Sequence, residues 1–247
     1  MNQTTPADDT AFDPEGFEAR YRAYCATYST ERTTVDIDGV SLVMHPRVYR
    51  AESASTTAAM LSTIRDVEGR ALLDMGCGCG VLGVFAALRG AQPVVMADIS
   101  EAAVENARDN VTRNDLDDRV DVVRSDLFAA LDEDRRFDLI YFNMPFFYVD
   151  PNRPEEALSP PEELAAAMPE QSAFVDLGYA MIGRFFATAP RYLKSGGAIR
   201  CSFASFGNHE QLDTILAANR LTRTTIARRV EDDYGLVYLA LEVKPSA

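Results

Sequence analysis

From residue 71 onward this chain alternates short apolar runs with amphipathic ones, and no other feature limits its fold so strongly. ALLDMG reads as a strand, VLGVFAAL as a helix and PVVMADI as a second strand. Residues 101–112 form a second helical pattern with Val104, Ala107 and Val111 on one face and Ser100 as its cap. VDVVRSDLF gives a third strand and FDLIYFN a fourth. Strands separated by helices pair in parallel through right-handed crossovers, so an α/β fold with a doubly wound, mostly parallel sheet is expected. Beyond it the pattern predicts a helix over 172–192 closed by Ser195-Gly196-Gly197, a strand AIRCSFASF, a helix over 210–219 and a last strand LVYLALEV.

Ahead of this core, residues up to 14 are polar and read as a mobile tail. Phe17, Tyr21, Tyr24 and Tyr28 then recur at helical spacing, and TTVDIDGVSLVM alternates on both sides of Asp38-Gly39, the dipeptide of a two-residue hairpin turn. Residues 1–53 are therefore expected to be an extension of tail, short helix and β-hairpin, and 54–247 the main domain. A chain of 247 residues that is 47% hydrophobic can bury one full core. It contains no apolar run of membrane-spanning length, and its first residues lack the basic and apolar regions of a signal peptide, so a soluble cytoplasmic protein is expected. PNRPEEALSPPEEL, residues 151–164, is long and rich in breakers, and reads as a lid or a plain surface connection.

Composition excludes some chemistry. Cys25, Cys77, Cys79 and Cys201 form no CxxC, and with only His45 and His209 no zinc constellation can be assembled, so no metal is expected. Reduced, packed thiols are the simpler reading. Neither histidine stands in a motif, and both read as surface or packed residues. Net charge is −14, with 38 acids against 24 bases, and Lys194 and Lys244 are the only lysines. A phosphate backbone is gripped by clustered bases, whereas Arg135-Arg136 and Arg228-Arg229 are short and read as solvated faces. Neither a nucleic-acid nor a membrane partner is expected.

LLDMGCGCGVLG ends a strand and opens a helix, where glycines let a ligand approach free backbone N–H groups. Residues 78–83 fit G-x-G-x-x-G, which formally allows a dinucleotide and an NAD(P)-dependent oxidoreductase. Three acids at the same sheet edge argue otherwise. Asp74 makes the loop D-x-G-x-G-x-G, Asp98 closes the second strand within reach of ribose hydroxyls, and Asp126 follows the third. Three carboxylates suit an adenosine cofactor carrying an ammonium and a sulfonium, and repel pyrophosphate.

At these residues the chain resembles the class I S-adenosylmethionine-dependent methyltransferases, from about residue 45 to its end, and LVYLALEV fits that family's final antiparallel strand. The resemblance implies S-adenosyl-L-methionine as cofactor, with Gly76, Gly78 and Gly80 around its methionine moiety. It further implies Asp98 on the ribose, Ile99 against the adenine, and Asp126 with the Leu127 amide at the adenine edge.

FDLIYFNMPF looks like the fourth-strand motif of amino-methyltransferases carrying Asn-Pro-Pro-Tyr or Asn-Pro-Pro-Phe, among them the release-factor glutamine methyltransferases. Upstream, YRAES resembles their Pro-Arg-Pro-Glu-Thr segment and puts Arg50 and Glu52 forward as substrate contacts. In such a motif the Asn143 side-chain oxygen and the Met144 carbonyl each accept an N–H of the acceptor, which aims the nitrogen lone pair along the S–CH₃ axis. Asn143, Met144 and Pro145 are thus the expected catalytic group, with Asn143 also beside the cofactor. Met144 replaces the family's proline, which keeps the carbonyl but loses a locked φ; Pro145 still biases Met144 toward extended backbone. Phe146 can stack on a planar acceptor, with Tyr148 close behind it. Acidic charge and a short extension favour N-methylation of a small molecule. Protein-glutamine methylation is the alternative carried by YRAES and NMPF, and a non-catalytic cofactor-binding protein remains outside both.

Overall fold

Strand β3 (Leu72–Met75) is buried along its whole length, as a parallel strand covered on both faces must be. The structure, a computed structural model that describes residues 31–51, 55–152, 175–231 and 236–246, sets β3 inside a seven-stranded sheet. Its companions are β4 (Val94–Asp98), β5 (Val120–Arg124), β6 (Phe137–Phe142), β9 (Leu193–Ala204), β10 (Leu221–Glu231) and β11 (Leu236–Pro245), in the order β10-β11-β9-β6-β3-β4-β5. β11 is antiparallel to both neighbours, and the pairs from β9 through β6, β3 and β4 to β5 are parallel. The doubly wound sheet with a reversed final strand is as expected.

Alternation within the strands sorts the core onto two faces. Leu72, Leu139 and Tyr141 pack with α1 (Ser55–Leu61), α2 (Val81–Leu88) and α3 (Glu101–Arg113). Leu73, Met75, Ile140 and Phe142 pack with α4 (Ala180–Thr188) and α5 (His209–Ala218). No described helix is long and apolar enough to cross a membrane.

The hairpin forms as expected, with β1 (Thr33–Ile37) and β2 (Val40–Met44) joined through Asp38 and Gly39 at φ 48° and 82°. Two fully buried asparagines hold it against α3. Asn110 Oδ1 accepts the Val43 N–H at 2.6 Å, and Asn106 and Asn110 each donate to the Val43 carbonyl. The His45 N–H donates to Asn106 Oδ1, and Asn110 Nδ2 also donates to the Cys79 carbonyl, which ties hairpin, helix and glycine loop together.

Three elements differ from expectation. The third strand stops at Arg124, because Ser125 Oγ donates to the Leu127 carbonyl and accepts the Ala130 N–H, which folds 125–130 into a turn. Within 172–192, strand β8 (Val175–Leu177) pairs in parallel with β7 (Phe147–Val149), and helix begins only at Ala180. There the Asp176 carboxylate accepts the Met181 and Ile182 N–H groups, and Gly178 at φ 63° turns the chain between strand and helix. β10 was not expected: its Thr and Arg pattern lacks apolar alternation because it is an edge strand, and Arg228-Arg229 lies on it. The helix expected at 16–28, and most of the stretch at 151–164, lie outside the described residues.

Replacing Asn110 by Ala strands the Val43 N–H in the interior, and by the cost of an unmet buried bond it should lower stability by about 1–3 kcal/mol. Urea denaturation measures this, and a midpoint equal to wild type would contradict the asparagine clamp.

Candidate active site

β3 and β6 pair with Met75 opposite Phe142, so the residues that follow, Gly76 and Asn143, leave the sheet at the same level. This is also where the strand order reverses, the place at which open α/β sheets bind ligands. One cavity opens there, lined by the turns after β3, β4, β5 and β6, by the segment before α1, and by Met181 and Arg184 of α4.

Asp74, Gly76, Gly78, Asp98, Ile99, Asp126, Leu127, Asn143, Met144, Pro145 and Phe146 all line this cavity. Gly80, Arg50 and Tyr148 do not. Gly80 serves packing instead: at φ 80° it caps α2, and a Cβ there would sit 3.0 Å from Met96 Sδ and 3.2 Å from Ala107 Cβ. Arg50 stays out while its neighbours Tyr49 and Ala51 turn in. Tyr148 packs edge-on against Tyr179, 5.1 Å between ring centroids. Glu52 lies outside the described residues. His45 bonds to Asp109 and His209 to the Ala204 carbonyl, both away from the cavity. Cys77, Cys79 and Cys201 are buried thiols outside any disulfide.

The acids differ in state. Asp74 is buried at the base of the loop, where Oδ2 accepts the Gly83 N–H at 2.9 Å. Burial pushes its carboxyl up to about 7, the Gly83 bond opposes this, and the charge of Asp98 adds to it. Asp98 accepts the Gly78 N–H at 2.8 Å and the Ser100 N–H at 2.9 Å, which fixes its carboxylate in the cavity lining. Asp126 is half-exposed and paired with Arg184 at 2.7 Å. An exposed pair of this kind contributes about 0–1 kcal/mol and exchanges readily for another partner.

Three observations fit S-adenosyl-L-methionine. Ile99 is 54% exposed at the cavity lip, an apolar surface that a flat heterocycle would cover. Thr57 Oγ1 is buried and has no hydrogen-bond partner among the described residues. Burial, with the charge of Asp98 beside it, raises the Asp74 carboxyl, a strain that a cationic group would relieve. The chemistry of this set suits ammonium, ribose and adenine.

Asn143 is half-buried and shares the cavity wall with Tyr49, a residue that sequence reasoning passed over in favour of Arg50 and Glu52. Its only signal was its place at the head of YRAES. Burial pushes the Tyr49 phenol up, and the neighbouring Thr56, Thr57 and Asn143 side chains pull the other way. The Met144 carbonyl accepts a long bond of 3.4 Å from Ser202 Oγ of β9, which leaves a second lone pair. Rigidity that a proline at 144 would have given comes from elsewhere: Tyr179 Oη donates to the Phe146 carbonyl at 2.7 Å and accepts the Asn208 N–H at 3.0 Å. Phe146, expected to stack on an acceptor, is largely engaged with Phe147, Phe206 and Tyr238.

Comparison with known proteins agrees with this geometry. Residues 39–153 match the Methyltransferase small domain family. A candidate protein N5-glutamine methyltransferase of Methanocaldococcus jannaschii is 30% identical over 166 residues, which cover 67% of this chain and 77% of that protein. The ribosomal protein uL3 glutamine methyltransferase of Bradyrhizobium diazoefficiens is 39% identical over 131 residues, covering 53% of this chain and 39% of the relative. Among solved structures, a T. thermophilus 16S rRNA N2 G1207 methyltransferase in complex with AdoMet and guanosine superposes with a TM-score of 0.61 at 20% identity, covering 87% of this chain and 50% of that one. The small-molecule acceptor expected from charge finds no support in these relatives, and the protein-glutamine alternative fits them better.

Because the folded state holds Asp74 protonated up to about pH 7, while an unfolded aspartate ionises near 4, Asp74 costs stability as pH rises between the two. Relative to Asp74→Asn, the ligand-free protein should lose about 2–3 kcal/mol between pH 5 and 8, from roughly 1.4 kcal/mol per pK unit. Parallel stability profiles of the two proteins in urea would contradict the burial argument.

Proposed function

This chain belongs to the class I S-adenosylmethionine-dependent methyltransferases, and we propose that within them it methylates the side-chain amide nitrogen of glutamine in a protein substrate. It is an enzyme whose methyl donor is S-adenosyl-L-methionine. The observation that carries the substrate class is the 143–146 motif, Asn-Met-Pro-Phe, at the mouth of the cofactor cavity, supported by relatives named for glutamine methylation.

The chain's own groups divide the work. With the cofactor bound, Asp98 would accept the ribose hydroxyls, Ile99 would cover the adenine, and Asp126, now paired with Arg184, would face the adenine edge. Asp74 would take the ammonium side, where a positive charge would favour its ionised form. Bound there, the sulfonium supplies an activated methyl group.

A primary carboxamide carries two N–H donors, and two acceptors aimed at one point fix both. We assign this to the Asn143 Oδ1 and the Met144 carbonyl, consecutive residues after the end of β6 in the cavity lining. Their grip turns the nitrogen toward the donor side of the cavity and pre-orders an in-line displacement. After transfer the nitrogen sheds its extra proton to a carbonyl or to water. A nucleic-acid acceptor is disfavoured by the net charge of −14.

Asn143→Ala should lower kcat on a glutamine-containing peptide by about 10²–10³-fold, the usual cost of one preorganised polar contact, with cofactor affinity nearly unchanged. Labelled-methyl transfer with calorimetry tests this, and equal turnover in the variant would refute the assigned role.

A further inference from the structure

Tyr179 stands where a backbone would favour glycine. It lies at φ 55° and ψ 38°, directly after Gly178 at φ 63°, in the left-handed region that costs a bulky side chain energy and glycine almost none. The strained residue is held on both sides. The Asp176 carboxylate caps the first turn of α4 beside it, and the Tyr179 carbonyl accepts the Gly183 N–H at 2.8 Å. A backbone outlier kept this firmly points to a task for its side chain.

That side chain reaches the acceptor turn. Its ring is buried, edge-on to Tyr148 and Phe203. The hydroxyl lies 2.7 Å from the Phe146 carbonyl oxygen and 3.0 Å from the Asn208 nitrogen, and the chemistry of these partners fixes the direction of both bonds. A carbonyl accepts and a backbone N–H donates, so the phenolic proton goes to Phe146 and a lone pair of the oxygen to Asn208. Asn208 is itself fixed as the cap of α5, where its side chain accepts the Gln211 N–H at 2.9 Å.

The 143–146 turn thus has two anchors. Upstream, Phe142 pairs within the sheet with Met75 and Cys201. Downstream, the Phe146 carbonyl is tied through one oxygen to the starts of α4 and α5. Asn143, Met144 and Pro145 run between them, and the proline ring fixes its own φ, so few torsions stay open to Asn143 and Met144. We propose that Tyr179 is a positioning residue for methyl transfer: by pinning the Phe146 carbonyl it holds the Asn143 side chain and the Met144 carbonyl in the directions that a carboxamide acceptor needs. This rests on reading those two groups as the acceptor's hydrogen-bond partners.

Tyr179→Phe keeps the ring and removes only the oxygen. The test uses the full-length protein with S-adenosyl-L-homocysteine bound, and reads backbone order by nitrogen-15 relaxation at Asn143, Met144 and Phe146. In the wild type these amides should be as rigid as those of β6, with order parameters of about 0.85, and in the variant they should fall toward about 0.6 while those of α3 stay unchanged. Turnover of a glutamine peptide is measured well below the unfolding transition, per cofactor-binding site counted by calorimetry. There kcat should fall about 10- to 100-fold, as for a misplaced reacting group, with cofactor affinity unchanged. A purely stabilising role would leave that kcat at the wild-type value, because only folded sites are counted, and this result would overturn the assignment. A loss of kcat without loosening of the turn would overturn it equally. Should the variant fail to fold, the wild type still decides: order parameters below about 0.6 at Asn143 and Met144 would mean that the turn is not anchored, and rigid ones support the anchor. If the wild type leaves glutamine unmethylated while the turn loosens in Tyr179→Phe, the substrate reading fails and the anchor stands.

Discussion

Two neighbouring parallel strands that end in step carry the whole site. Leu72 pairs with Leu139 and Met75 with Phe142, so the glycine turn after β3 and the Asn-Met-Pro-Phe turn after β6 emerge side by side. A slip of one residue would move every side chain of one strand to the opposite face. It would also part Gly76 from Phe142, whose ring sits 3.1 Å from where a Cβ on that glycine would be. In the proposed reading, donor and acceptor binding are thus one consequence of a single register.

Around that register the chain gathers three acids along one cavity wall. Asp74 is buried with one backbone bond, Asp98 is held by two, and Asp126 rests on an exposed arginine. Self-repulsion between Asp74 and Asp98 is tolerated because Asp74 can keep its proton. A cationic ligand relieves the strain on both, whereas a pyrophosphate would deepen it. The same arrangement explains why the G-x-G-x-x-G match at 78–83 does not mark a dinucleotide site: Gly80 packs on Met96 and Ala107 instead of facing the cavity.

Much of this was legible because it is local. Buried parallel strands read as apolar runs, Ser100 caps α3 as its sequence suggests, and Asp38-Gly39 turns the hairpin it announces. Elements decided by long-range contact were not legible. β10 is an edge strand rich in Thr and Arg whose one strand partner among the described residues is β11, so no periodicity reveals it. β8 is three residues long and exists through its pairing with β7. Asn106 and Asn110 look like polar positions on a helix until the Val43 backbone arrives to meet them. Tyr49 is visible as a site residue only once 47–51 is folded against β6. The preference for a small acceptor came from net charge, a property of the whole surface, which says little about what one cavity holds.

The account stands or falls on whether donor and acceptor meet at the ends of β3 and β6. A crystal structure of the protein with S-adenosyl-L-homocysteine and a glutamine peptide measures this directly. It should place the glutamine Nε2 within about 3 Å of both the Asn143 Oδ1 and the Met144 carbonyl, with the sulfur beside them. A glutamine seated elsewhere, or an Asn143 amide turned from the shared cavity, would contradict it.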